Sequence, residues 1–114
     1  MIPDVTEVLD WQQLRDVTSD DDHLMREIVG ALIDDTSRQF PLLEAAIRQK
    51  NPQATERLAH YSKGACANVG AKSAAAVLEN IERTAARCDF DGCGASLAKL
   101  AQAIDRLREE AFPG

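Results

Sequence analysis

At 114 residues, the chain can bury one hydrophobic core but not two, so a single domain over residues 1–114 is expected. Hydrophobic residues at 45% and charged residues at 28% exclude a disordered chain, and aromatics at only 4% favour packed helices over a sheet. A net charge of −6 disfavours nucleic acid as a partner, and no apolar run is long enough to span a bilayer.

The N-terminus has neither the basic flank nor the apolar stretch of a signal peptide, so a cytoplasmic location without membrane insertion is expected. Asp10 with Gln13 three residues on predicts an N-cap pair opening a short helix over Trp11 to Val17. The run from Thr18 to Asp22 is a polar break, and its acids suit the positive end of the next helix. Met25, Ile28, Val29, Leu32, Phe40, Leu43 and Ile47 then keep the spacing of one helix face. Pro41 lies inside that run, yet the phase survives it, which predicts one long, kinked helix. Asn51-Pro52 ends that helix and opens a third, running to about Asn68 with Gly70 as its C-cap. A fourth carries Ala74, Val77, Leu78, Ile81 and Ala85. Asp89 to Gly94 reads as a loop or frayed turn. The last helix carries Leu97, Leu100, Ala101, Ile104 and Leu107 on one stripe. The expected fold is all-α: an antiparallel up-down four-helix bundle with a short extra N-terminal helix.

The third helix has two faces. With about 100° per residue, Leu58, Ser62, Ala65 and Val69 fall opposite His60 and form the expected core stripe. Glu56, Lys63, Gly64, Ala67 and Ala71 fall within about a sixth of a turn of His60. His60 therefore points to water. Gly64 beside it costs the helix about 1 kcal/mol relative to alanine, and packing does not require it there. The missing side chain leaves room for something to approach the imidazole. Lys63 supplies a flexible cation suited to phosphoryl oxygens.

A neutral imidazole has a free lone pair and needs no helper base to attack phosphorus. Phosphoryl transfer asks mainly for positioning and charge stabilisation. No nucleotide-binding glycine motif is present, so the chain is not expected to be a kinase, and the donor must come from elsewhere.

His60-Tyr61-Ser62-Lys63-Gly64-Ala65-Cys66-Ala67-Asn68-Val69-Gly70-Ala71 resembles the signature of histidine-containing phosphotransfer (HPt) domains. Ala59, Leu78-Glu79, Val8-Leu9-Asp10 and the Asp20-Asp21 cluster extend the likeness over nearly the whole chain. The resemblance implies a carrier in a multistep two-component phosphorelay. His60 would be phosphorylated, Lys63 would stabilise the phosphoryl charge and Gly64 would admit the partner. That partner would be the receiver domain of a response regulator, with a sensor or hybrid histidine kinase upstream. The Mg²⁺ for the reaction would sit on the receiver, and the chain itself would hold no cofactor. Glu56, Ala67, Ala71 and Arg83 are the expected receiver-docking face. Ser62 departs from the family, which usually has an apolar residue two after the His. On the following helix, Glu79, Glu82 and Arg83 are the positions expected to face His60.

An alternative is a degenerate module that binds receivers without being phosphorylated, and the intact His60, Lys63 and Gly64 speak against it. A metal or haem site would need several inward His or Glu residues, and the only other histidine, His23, stands among surface acids. The three cysteines Cys66, Cys88 and Cys93 lack zinc spacing and read as free thiols. Nothing demands a dimer, so a monomer is expected.

Overall fold

The computed structural model describes residues 7–113; residues 1–6 and 114, part of the expected domain, lie outside the described residues. The described residues form five helices and no strand: α1 (Trp11–Thr18), α2 (Asp22–Arg48), α3 (Pro52–Val69), α4 (Lys72–Ala86) and α5 (Phe90–Ala111). Side-chain caps open four of them. Asp10, Asp21, Asn51 and Asp89 accept from the backbone N–H of Gln13, Leu24, Ala54 and Gly92 at 2.9–3.1 Å. Each such cap stabilises its helix by about 1 kcal/mol. α2 runs through Pro41 as one continuous helix, as its unbroken apolar phase predicts.

Asp89 to Gly94 is not a loop. Asp89 is the N-cap of α5, and Gly92 sits in its first turn, where a Cβ would collide with the capping carboxylate. Of the two glycines that suggested a turn, Gly92 is the small residue beside the cap, while Gly94 stands in open space. Cys93 is fully buried there, its sulfur 3.2 Å from Thr84 Oγ1.

α3 packs on α2 and α4, α4 packs on α5, and α5 returns to α2. The core between them includes Val29, Leu43, Leu78, Ile81 and Leu100. The buried stripe of α3 is Thr55, Ala59, Ser62 and Cys66. The expected Leu58, Ala65 and Val69 are only half-buried at its flank. The reason is geometric: α3 sits between two neighbours, so the centre of its inner face is where they come closest and only small side chains fit. The hydroxyl of Thr55 donates to Asn51 O at 2.7 Å, which makes its burial affordable.

α1 closes one end of the assembly. Leu14 is buried, and Trp11 Nε1 donates to Glu110 Oε1 at 2.8 Å. Gln13 does not reach back to Asp10. Its amide donates to Ala67 O and Asn68 O at 2.8 and 3.2 Å, tying α1 to carbonyls in the last turn of α3. The Asp10 carboxyl is held below its usual range, first by the Gln13 N–H and then by Lys72, 3.3 Å away.

Gly70 is where these constraints meet. Its φ is +91°, it ends α3, and its carbonyl accepts from Asp10 N at 2.7 Å. A Cβ there would lie 3.1 Å from Asp10 O. Gly70→Ala is therefore expected to destabilise the protein by about 2 kcal/mol, lowering Tm on the order of 10 °C. Thermal melting followed by circular dichroism checks this, and an unchanged Tm would refute both the strain and the close approach.

Candidate functional site

His60 lies in the middle of α3, on the face opposite Ser62, and 74% of its side chain is exposed. The two-face reading thus places the imidazole correctly, although the core stripe itself is rotated. Gly64, one turn on, is open: a Cβ there would meet nothing within 4 Å. Lys63 is different from the free cation expected. Its side chain is 29% exposed, and its Nζ lies 2.9 Å from Glu82 Oε1 on α4. The same Glu82 oxygen is 3.5 Å from His60 Nδ1. A carboxylate from the neighbouring helix therefore sits beneath both residues.

Glu82 is the site residue that sequence reasoning left unresolved among three candidates. The signal was present. On a helical projection Glu82 is nearer the stripe of Ala74, Leu78, Ile81 and Ala85 than Glu79 or Arg83 is, so it borders α3. Glu79 and Arg83 are both exposed.

Beside His60 runs a groove of about 560 Å³ between α3 and α4. Gln53, Glu56, Arg57 and His60 line it from one helix, and Glu82, Arg83 and Ala86 from the other. The expected docking residues Glu56 and Arg83 are thus brought together with His60. Ala67 is exposed farther along α3, outside the groove. Ala71 is not on this face at all: it is fully buried and is the N-cap residue of α4. The helical projection failed there because the chain leaves α3 at Gly70, whose left-handed conformation turns the next residue inward.

Tyr61, beside the histidine, is exposed and donates its hydroxyl to Asp35 Oδ2 at 3.0 Å. That hydrogen bond and the Asp35 charge raise the phenol pKa. Burial pushes the Cys66 thiol up to about 11, so it is protonated and serves packing. Among the described residues no group of His, Cys, Asp and Glu could hold a metal ion, and no helix is long and apolar enough to cross a membrane.

Comparison with known proteins agrees with this geometry. The family model for the Hpt domain matches residues 27–110. The structure is similar to the crystal structure of histidine-containing phosphotransfer protein B (HptB) from Pseudomonas aeruginosa PAO1. The TM-score is 0.84 at 21% identity, covering 93% of this chain and 92% of that one. No curated protein sequence matches. A family match over most of the chain, on a helical scaffold that presents an exposed histidine beside a lysine and an open glycine, shows that the chain belongs to the Hpt domain family of histidine phosphotransfer carriers.

Proposed function

We propose that His60 accepts a phosphoryl group from the aspartate of one receiver domain and passes it to another, within a multistep phosphorelay fed by a sensor or hybrid histidine kinase. The observation that carries this reading is the exposed imidazole at the rim of an α3–α4 groove, with open space over Gly64. Phosphoryl transfer requires positioning and charge stabilisation rather than elaborate covalent chemistry, and both are at hand. Lys63 is the cation for the phosphoryl oxygens, and Gly64 clears the approach of the receiver's active site. Glu56, Arg83 and the exposed Ala67 border the docking face. Mg²⁺ belongs to the receiver, and the chain supplies no cofactor and no nucleotide site. Residues 1–114 act as one domain and as a monomer. The four long helices form an up-down bundle, supported by their cyclic packing and by connections of two or three residues.

The test is a mass spectrum under non-acidic conditions after mixing the chain with a phosphorylated receiver and Mg²⁺. One acid-labile, base-stable phosphate adduct is expected. His60→Gln should abolish the adduct while changing stability by less than about 0.5 kcal/mol, because the side chain faces solvent. A large loss of stability, or an adduct that persists, would sink the assignment of His60.

Gly64→Gln should fold at least as well as the parent, since a helix-favouring residue replaces glycine at an open position. Transfer from the receiver should fail through steric block, as read by the same adduct. Normal transfer would mean that the opening has no role.

Lys63→Ala should slow transfer about tenfold or more without abolishing it, as expected for the loss of one stabilising charge. Rapid-quench kinetics measure this, and an unchanged rate would remove Lys63 from the reaction.

A further inference from the structure

We propose that the furrow between α2 and α5 is a second docking site, and that it takes an amphipathic helix of a partner protein with lysine or arginine beside its apolar stripe. The four long helices pack in a ring, so this furrow lies across the bundle from the α3–α4 groove beside His60. It consists of two chambers of about 250 and 360 Å³ that share Arg108 as a wall. Ile33 and Ile104, each otherwise buried, form its apolar floor. Phe40 stands half-buried toward one end, and Phe112, 44% exposed, stands at the other. From Gly30 to Phe40 the α2 wall is about 15 Å long, nearly three helical turns.

Both walls carry small residues two helical turns apart. Gly30 and Ser37 share one stripe of α2, and Gly94 and Ala101 share one stripe of α5. Gly30, Ser37 and Ala101 line the furrow, and Gly94 continues the Ala101 stripe toward the start of α5. Neither glycine is needed by the chain's own packing. A Cβ at Gly94 would meet nothing within 4 Å, and one at Gly30 would make only an ordinary contact, 3.5 Å from the Phe112 ring. Glycine weakens a helix, so two of them on one face without an internal reason leave room for a body from outside. Small side chains on two neighbouring helices let a third helix lie between them, its own larger side chains filling the gap. An extended segment would suit this furrow less, because the backbone groups of both walls are already used within α2 and α5. A helix satisfies its own.

The rims set the charge of the occupant. Asp34 stands on the α2 rim and Asp105 on the α5 rim. Arg108 is the one cation among the lining residues, and Asp105 already holds it at 3.1 Å. Asp34 is exposed and enters no ion pair among the described residues. A lysine or arginine on the incoming helix meets Asp34, whereas an acidic helix is repelled by it and by the net charge of −6. Apolar residues at helical spacing on that partner cover Ile33, Ile104 and the two phenylalanine rings. A site on this side does not compete with His60. A partner can stay tethered here while others visit the histidine in turn, and the tether raises the effective concentration of whatever it carries.

The experiment titrates the isotope-labelled full chain with a synthetic amphipathic peptide of about 18 residues, or five helical turns, and follows the amide shifts by NMR. The peptide carries leucine on one stripe and lysine on both edges of it. Shifts should centre on Gly30, Ser37, Gly94 and Ala101, leave the residues around His60 unmoved, and give a Kd below about 1 mM. The same peptide with glutamate for each lysine should bind about tenfold more weakly. Gly94→Gln should fold at least as well as the parent and weaken the lysine peptide about tenfold by obstructing the α5 stripe. Asp34→Lys, at an exposed position, should melt with the parent and reverse the preference between the two peptides. Shifts centred on another face, or no binding at millimolar peptide, overturn the proposal. So does a preference that Asp34→Lys leaves unreversed, or a Kd that Gly94→Gln leaves unchanged.

Discussion

A helix that must offer one whole face to another protein has to be held by the other face alone. α3 meets this constraint with Thr55, Ala59, Ser62 and Cys66, all buried and all small. Small residues let its backbone lie deep between α2 and α4, where each contact is made at short range. Bulk is supplied by the neighbours instead, through Leu43, Leu78 and Ile81. The consequence is functional. Because α3 is set deep, a glutamate on α4 can reach under its outer face, and the groove beside His60 has walls on both helices.

The charges on that face are arranged differently from a simple cationic patch. Exposed ion pairs contribute little to stability, and the pair between Arg48 and Glu44 is of that kind. The Lys63–Glu82 pair is partly shielded, and its acceptor oxygen has lost its water. Such a carboxylate needs its cation, so Lys63 is held against Glu82 at rest rather than sampling solvent. In the proposed reaction the ammonium is therefore already placed when phosphoryl charge arrives. The flexibility that usually makes lysine an imprecise ligand is reduced by its contact with Glu82.

Much of this was legible in the residues, for identifiable reasons. Helix boundaries followed from caps whose chemistry is local: Asp10, Asn51-Pro52 and Gly70 act through atoms within one turn of themselves. The direction of His60 followed from the 3.6-residue period, which holds as long as the helix does. Ala71 shows the limit, since one left-handed residue at Gly70 breaks the phase and sends the next side chain inward. The start of α5 was missed because Gly92 and Gly94 look like turn residues when the Asp89 carboxylate that demands space at Gly92 is not in view. The rotated core stripe of α3 and the role of Glu82 depend on which helices flank α3 and how closely. That is tertiary information, which no periodicity within one helix contains.

The exposure of His60 also determines what the chain leaves to others. In the proposed reaction a side chain this open cannot exclude water from a phosphoryl group it carries, so desolvation of the reacting centre has to come from whatever docks over it. The opening at Gly64 is compatible with that division, because a close-fitting partner needs backbone-level access to the imidazole. In the proposed reaction the metal and the second nucleophile come with the partner, while the chain contributes an exposed ring and a cation held by Glu82. On this view the glycine and the glutamate have complementary tasks. In the proposed reaction Gly64 leaves the partner room to reach His60, and Glu82 holds the lysine beside it.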